Sequence, residues 1–197
     1  MHILIAIPTF ENILPDTFKS IYGLRRPEGA SLLFDFVRGY DCARARNVIA
    51  QEAIDHGFDY VFMVDSDIIL PSDALVKLLR DDPDVVLGCY PQKNNKDGLV
   101  EIFKNGNKDY VNRYMYDELD ALDGHVDVKG GGFGCALIRC AIFNHIQRPW
   151  FKYVEYLDGS LLSEDNYFCG LARDTGFKVQ MDPEVRCGHS IRGFQWR

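Results

Sequence analysis

The fold class predicted by the sequence is α/β: a mainly parallel central sheet flanked by helices, with a mixed C-terminal half. Three observations predict it. Apolar runs of strand length recur through the first half without polar alternation, as strands buried on both faces do. Helix patterns with recognisable starts and stops separate those runs. After residue 98 the pattern changes to short strands, a glycine run and late helices.

Each element follows in order. ILIAIP is a continuous apolar run and reads as the first strand. PDTFKSIYGL is a helix with Pro15 near its start and Gly23 near its end. SLLFDFV is the second strand. Between Cys42 and His56, Ala45, Val48, Ile49 and Ala53 recur at i, i+3, i+4 and i+8, one helix face, and Gly57 stands where a C-terminal glycine belongs. YVFMV is the third strand. Ser72 is placed to cap a helix whose buried stripe is Ala74, Leu75, Leu78 and Leu79. VVLGCY is the fourth strand. Further on, VEIFKNGNKDYVNRYMY predicts two strands around the Asn105–Gly106 turn. A glycine run GGGFG, a strand CALIR, a helix from Ala141 to Ile146 and another from Ser163 to Thr175 complete the chain. The length of 197 residues predicts a single domain.

Composition narrows the function. Apolar residues are 47% and charged residues 26%, an ordinary globular balance. A net charge of −7 argues against a nucleic-acid partner, which needs clustered Lys and Arg. The six cysteines form no C-x-x-C pair and sit mostly in apolar surroundings, which predicts buried reduced thiols and a cytoplasmic location. The N-terminal apolar run is short and ends at Pro8, so it reads as a strand and not as a signal peptide. No stretch approaches the ~18 apolar residues of a spanning helix.

The chemistry concentrates at YVFMVDSDIILP, where Asp65 and Asp67 stand at the carboxyl end of the third strand. Ligands of open α/β sheets bind at such ends. Were the backbone to stay extended, the two side chains would share a side. Two charges ~5 Å apart repel by roughly 3 kcal/mol at an effective dielectric near 20. A hard divalent cation, Mg²⁺ or Mn²⁺, removes that repulsion and leaves positions open for substrate phosphates. The alternative is that one Asp caps the next helix while the other meets solvent.

VFMVDSDIILP resembles the D-x-D segment of A-type-fold (GT-A) glycosyltransferases, especially family 2. IAIPTF is similar to their first strand and nucleotide-binding turn, ARARNVIAQEA to the helix preceding D-x-D, and GGFGCALIRC to the glycine-rich acceptor segment. SEDNYFC is similar to the E-D motif heading a late helix, and CGHS to a late metal-binding histidine. The ordered set covers most of the chain. It implies a Rossmann-like nucleotide-diphospho-sugar transferase fold, with residues 1–98 as the nucleotide-sugar half and 99–197 as the acceptor and catalytic half.

The resemblance implies a metal-dependent transfer from a nucleoside diphosphate donor, UDP-sugar before GDP-sugar, to an unidentified hydroxyl acceptor with inversion. Asp67, Asp65 and His189 would hold Mn²⁺ or Mg²⁺, with Asp65 alternatively on the ribose and sugar side. Pro8, Thr9, Ser66 and Arg46 would contact the donor, or Arg46 would only hold the D-x-D loop through Asp65. Asp165 would be the catalytic base at a helix start, where the dipole favours the ionised form, and Glu164 would orient acceptor or base. Gly131 and Gly132 belong to the loosest backbone in the chain and would admit the acceptor. Bland readings stand beside these: SEDN is also a plain capped helix start, the glycine run a bulged turn, and His189 a structural residue.

Two departures from the family pattern are a compact catalytic region and a terminal GFQWR that lacks the Q-x-x-R-W spacing of processive synthases. The first leaves little chain for an elaborate acceptor site, and the second, with no spanning stretch, favours single addition. Among rivals, a nucleotidyltransferase needs a glycine- and basic-rich loop after strand one, which IPTFENILP lacks. A haloacid-dehalogenase-type phosphatase needs Thr where Ile69 stands. A retaining transferase of the same fold and a non-catalytic nucleotide-sugar-binding module remain as alternatives.

Overall fold

The computed structural model describes residues 1–93, 98–105, 112–191 and 194–195. The first half runs β1 (His2–Thr9), α1 (Pro15–Tyr22), β2 (Ser31–Arg38), α2 (Cys42–Asp55), β3 (Tyr60–Val64), β4 (Ile68–Ile69), α3 (Ala74–Leu78) and β5 (Val85–Cys89). The second runs β6 (Leu99–Phe103), β7 (Arg113–Met115), β8 (Val126–Asp127), β9 (Gly130–Gly131), β10 (Cys135–Arg139), β11 (Val154–Glu155) and β12 (Leu161–Leu162). It ends with α4 (Glu164–Asp174), β13 (Val179–Arg186), β14 (Gly188–Ile191) and β15 (Phe194–Gln195).

Seven strands form the central sheet in the order β2-β1-β3-β10-β5-β13-β8. β1 is parallel to β2 and β3, and β13 is parallel to β5. β10 lies antiparallel between β3 and β5, so a strand of the second half separates the third and fourth predicted strands. β1, β3 and β5 are covered on both faces, which explains their continuous apolar runs, whereas the edge strand β2 leaves Leu33, Phe34 and Phe36 exposed. Ile3, Ile5, Ile7, Phe62 and Val64 pack on one face with Ile21 of α1 and Leu75 of α3. Leu4, Ala6, Val61 and Met63 pack on the other with Ile49 of α2 and Phe168 of α4.

Several local expectations are corrected. Val48 is exposed; the buried stripe of α2 is Ala45, Ile49 and Ala53 with Ala43, Arg46 and Ala50. Asp41 caps α2, its carboxylate accepting the Arg44 N–H at 3.0 Å, while Gly57 takes φ 68°, as a helix end requires. Ser72 does not cap α3: it lies in the preceding turn, its carbonyl accepting from Arg25 N, and Asp73 holds the cap position without a side-chain bond. The helix expected at 141–146 is a 3₁₀ turn over Cys140–Asn144. β6 and β7 pair antiparallel as expected, but Gly106 of their predicted turn lies outside the described residues. All six cysteines are free; five are buried and Cys42 is exposed. Among the described residues no helix is long and apolar enough to cross a membrane.

Candidate functional site

The extended geometry expected of the aspartate pair does not hold. β3 ends at Val64, and the chain turns so that Ile68 N–H bonds back to Asp65 O at 3.2 Å. This turn is pinned on three sides. Asp65 N–H donates to Gly134 O (3.1 Å), Ser66 O accepts from Leu14 N (3.0 Å), and Asp67 O accepts from Ser190 N (2.8 Å). The two carboxylates therefore part and meet different partners.

Asp65 turns to Arg46, whose Nη2 lies 3.0 Å from Asp65 Oδ1 and whose Nη1 bonds Glu164 Oε1. Arg46 and Glu164 side chains are 3% and 5% exposed, whereas Asp65 keeps 34%. Burial pushes the Asp65 carboxyl above its ordinary value; Arg46 pulls it back, and Asp67 and Asp165 push it up again. Glu164 is raised in the same way, by burial first, with Arg46 opposing and Asp165 adding. Asn47, the other half of the RN pair, has a structural task. Its side chain binds Phe151 O at 2.7 Å and Trp150 N at 3.1 Å, tying α2 to the segment before β11.

Asp67 faces the other way. Its Oδ2 lies 2.5 Å from Lys93 Nζ and its Oδ1 lies 3.6 Å from His189 Nε2. His189 is on β14, paired with Ile68 of β4 just after the turn. Its Nδ1 lies 2.7 Å from Pro91 O, which places the proton on Nδ1 and leaves Nε2 directed at Asp67 in the neutral ring. An imidazole oriented by a carbonyl and facing a carboxylate is a donor set that suits a divalent cation. Among the described residues no three His, Cys, Asp or Glu side chains converge. Asp67 and His189 are thus the two described side chains here that could hold such an ion.

Beside this pair a cleft of about 500 Å³ opens at the carboxyl ends of β1 and β3, lined by Thr9, Asn12, Ser66, Asp67, Lys93 and Ser190 among others. Thr9 Oγ1 donates to Asn12 O at 2.7 Å and so shapes the turn after β1. Pro8 lies within β1, paired with Val37, and is buried. A hollow of about 550 Å³ behind β4 and β14, lined by Lys19, Pro71 and Arg186, is slightly larger but holds none of the expected site side chains.

Asp165 is the second residue of α4. Its Oδ1 accepts from Ser163 Oγ and from Asn166 N at 2.7 Å, and Oδ2 takes no hydrogen bond among the described residues. Ser163 makes no side-chain cap to the backbone; its hydroxyl goes to Asp165 instead. Asp165 is near enough to Asp65, Tyr90 and Glu101 to push all three upward in pKa, after burial, which is the largest cause in each.

The glycine run is the reverse of loose. Gly131 and Gly132 are buried, and a Cβ on Gly132 would stand 2.0 Å from Tyr90 Oη. One on Gly131 would stand 2.6 Å from Glu101 O. Tyr90 Oη accepts the Gly134 N–H at 3.0 Å. The close approach that these glycines permit is to Tyr90 and β6.

Sequence reasoning missed Lys93, Tyr90 and Glu101. Glu101, ion-paired to Arg113 at 3.4 Å, is the one acid within the apolar LVEIF strand, a visible signal. Lys93 follows the fourth predicted strand, where the strand-end rule also applied.

No protein-family model matches the chain, and no curated protein matches it in sequence. Solved structures do. A197 from STIV superposes with TM-score 0.64 at 20% identity, over 97% of this chain and 86% of that one. GalNAc-T7, crystallised with UDP, GalNAc and Mn²⁺, gives 0.61 at 12% identity, over 95% of this chain and 43% of that one. S. aureus TarS 1–349 in complex with UDP gives 0.53 at 15%, over 94% and 60%. The chain thus spans less than two thirds of either UDP complex. What it shares with them is the architecture, and this chain has the A-type glycosyltransferase fold.

Proposed function

We propose that the chain transfers a sugar from a nucleoside diphosphate donor to a hydroxyl acceptor, with metal assistance and with inversion. The observation that carries this reading is the division of carboxylates around the end of β3. Asp67 lines the cleft with His189 Nε2 3.6 Å behind its Oδ1, a pair that would hold a cation, while Asp165 stands at the head of α4 with Oδ2 open. UDP is the first donor nucleotide to test, because GalNAc-T7 and TarS were crystallised with it; GDP is the second.

A divalent cation bound at Asp67 and His189 would supply Lewis-acid neutralisation of the leaving diphosphate. The chain's own residues do the rest. Thr9 at the end of β1, the turn that follows it and the Ser66 backbone border the nucleotide, with buried Pro8 behind them in the strand. Arg46 holds Asp65 toward the sugar side and ties Glu164 of α4 to α2, so both carboxylates are fixed before substrate arrives. Asp165 Oδ2 accepts the proton of the acceptor hydroxyl as that oxygen bonds to the anomeric carbon and the bond to the diphosphate breaks. Gly131 and Gly132 act on the acceptor side by letting Tyr90 and Glu101 pack close beside Asp165.

Calorimetry of UDP- and GDP-sugars with and without Mn²⁺ tests the proposal. Binding that strengthens with Mn²⁺ is expected; absence of metal-dependent binding to every donor would sink it. NMR of the product's anomeric configuration decides inversion.

A further inference from the structure

We propose that Lys93 is a movable counter-charge. It occupies Asp67 in the free protein, yields that carboxylate to the divalent cation, and then binds the donor diphosphate. This rests on the donor reading above. Four observations carry it. Lys93 Nζ lies 2.5 Å from Asp67 Oδ2, the carboxylate whose other oxygen faces His189. Lys93 lines the same cleft as Thr9, Asn12 and Ser66, and among the described residues it is the one cationic side chain that does. Its side chain is 50% exposed while Asp67 is 23% exposed, so the ammonium moves at little packing cost and the carboxylate stays. The segment that delivers it is anchored. Two residues earlier Pro91 O accepts from His189 Nδ1, and Tyr90 Oη is held by Gly134 N.

The charges favour an exchange. A divalent cation on Oδ1 and His189 would stand close to the ammonium on Oδ2, and the repulsion between the two favours release of the lysine, above all when the ion takes both oxygens. The divalent ion gains more from an oxygen and imidazole donor set than an ammonium does, since it also takes His189 Nε2. A displaced lysine with a four-carbon stem stays within reach of the cleft. A diphosphate there offers it anionic oxygens as a new partner. Lys93 would then neutralise charge on the same leaving group.

The test uses Lys93→Met and Lys93→Arg in the full chain. Mn²⁺ affinity of the free protein is read from the paramagnetic resonance of the unbound aquo ion, and UDP affinity at saturating Mn²⁺ by calorimetry. Lys93→Met is expected to tighten Mn²⁺ by roughly two- to fivefold, the range for a partly exposed ion pair. It is expected to weaken UDP by roughly tenfold, as loss of one charge-assisted phosphate contact does. Lys93→Arg should keep UDP affinity near that of the wild type. Because the two affinities move in opposite directions, a merely structural defect cannot mimic the result. Mn²⁺ or UDP affinity unchanged or moved the other way in Lys93→Met overturns the proposal. Failure of the wild type to bind UDP with Mn²⁺ overturns the donor reading instead, and the Mn²⁺ arm then still decides whether Lys93 guards Asp67.

Discussion

Replacing Arg46 with Met tests the electrostatic frame of the site most directly. Arg46 and Glu164 are both nearly fully buried, at 3% and 5% side-chain exposure. Removing one member of such a pair leaves an uncompensated buried charge, which costs about 3–5 kcal/mol. The bond to Asp65 adds little, because that carboxylate is 34% exposed and behaves more like a surface partner, worth ~0–1 kcal/mol. With a urea slope of about 2 kcal/mol per M, the unfolding midpoint should fall by roughly 2 M at pH 8. Acid should then repair the variant. Burial raises the Glu164 carboxyl above its ordinary value, and Arg46 is the largest of the causes that hold it down, ahead of a backbone N–H and Tyr153. Without Arg46 its folded pKa rises further. A carboxyl raised on folding destabilises above its folded pKa, and that penalty fades toward its unfolded value near ~4.3. The deficit relative to wild type should therefore shrink on going from pH 8 to pH 5, by up to ~1.4 kcal/mol per pH unit inside that window. Adding Glu164→Gln to Arg46→Met should recover part of the loss at pH 8. Equal deficits at pH 8 and pH 5 would refute the charge argument and assign the loss to the packing of Arg46 over Phe133, 5.7 Å away.

The remaining predictions are briefer. Asp165→Asn should lower turnover by roughly 10²–10⁴, the range of general-base contributions, with donor affinity unchanged; unchanged turnover removes Asp165 from the base role. Gly132→Ala should destabilise by about 1–3 kcal/mol, since its Cβ would stand 2.0 Å from buried Tyr90 Oη. Combining it with Tyr90→Phe should cost less than the sum of the two single changes in urea unfolding. Gly57→Ala, at φ 68°, should cost about 1 kcal/mol by the same measurement while leaving donor binding alone.

What the sequence made legible were features with a local cause. Strands β1, β3 and β5 show as apolar runs because both their faces are buried. Helix α2 shows through its stripe and the glycine that ends it. The candidate residues also came into view, because a charge at the end of an apolar strand is conspicuous. Their partnerships did not. Asp65 pairs with Arg46 across 19 residues, Arg46 with Glu164 across 118, and His189 with Pro91 across 98. No periodicity encodes such contacts. The parting of Asp65 and Asp67 depends on Gly134 O, Leu14 N and Ser190 N, three groups from distant segments that pin one turn. The glycine run misled for the same reason: what crowds it is Tyr90 and β6, and both were placed elsewhere by sequence order.

The charges gathered around this turn bear on the metal. Asp65, Asp67, Glu101, Glu164 and Asp165 interact with one another or with shared partners, and Arg46, Lys93 and Arg113 are the cations paired among them. Five carboxylates against three cations leave an excess of negative charge, on a chain whose net charge is already −7. Burial leads the rise in pKa at Asp65, Glu164 and Glu101, and neighbouring carboxylates add to it. A nucleoside diphosphate would enter this field as a further anion, so its binding calls for added positive charge at the cleft. Lys93, the cation lining the cleft among the described residues, is already committed to Asp67. A divalent cation at Asp67 and His189 would supply two charges at once and release a third in Lys93. On this reasoning the acidity of the site, which by itself would repel a diphosphate, becomes the feature that makes donor binding depend on metal.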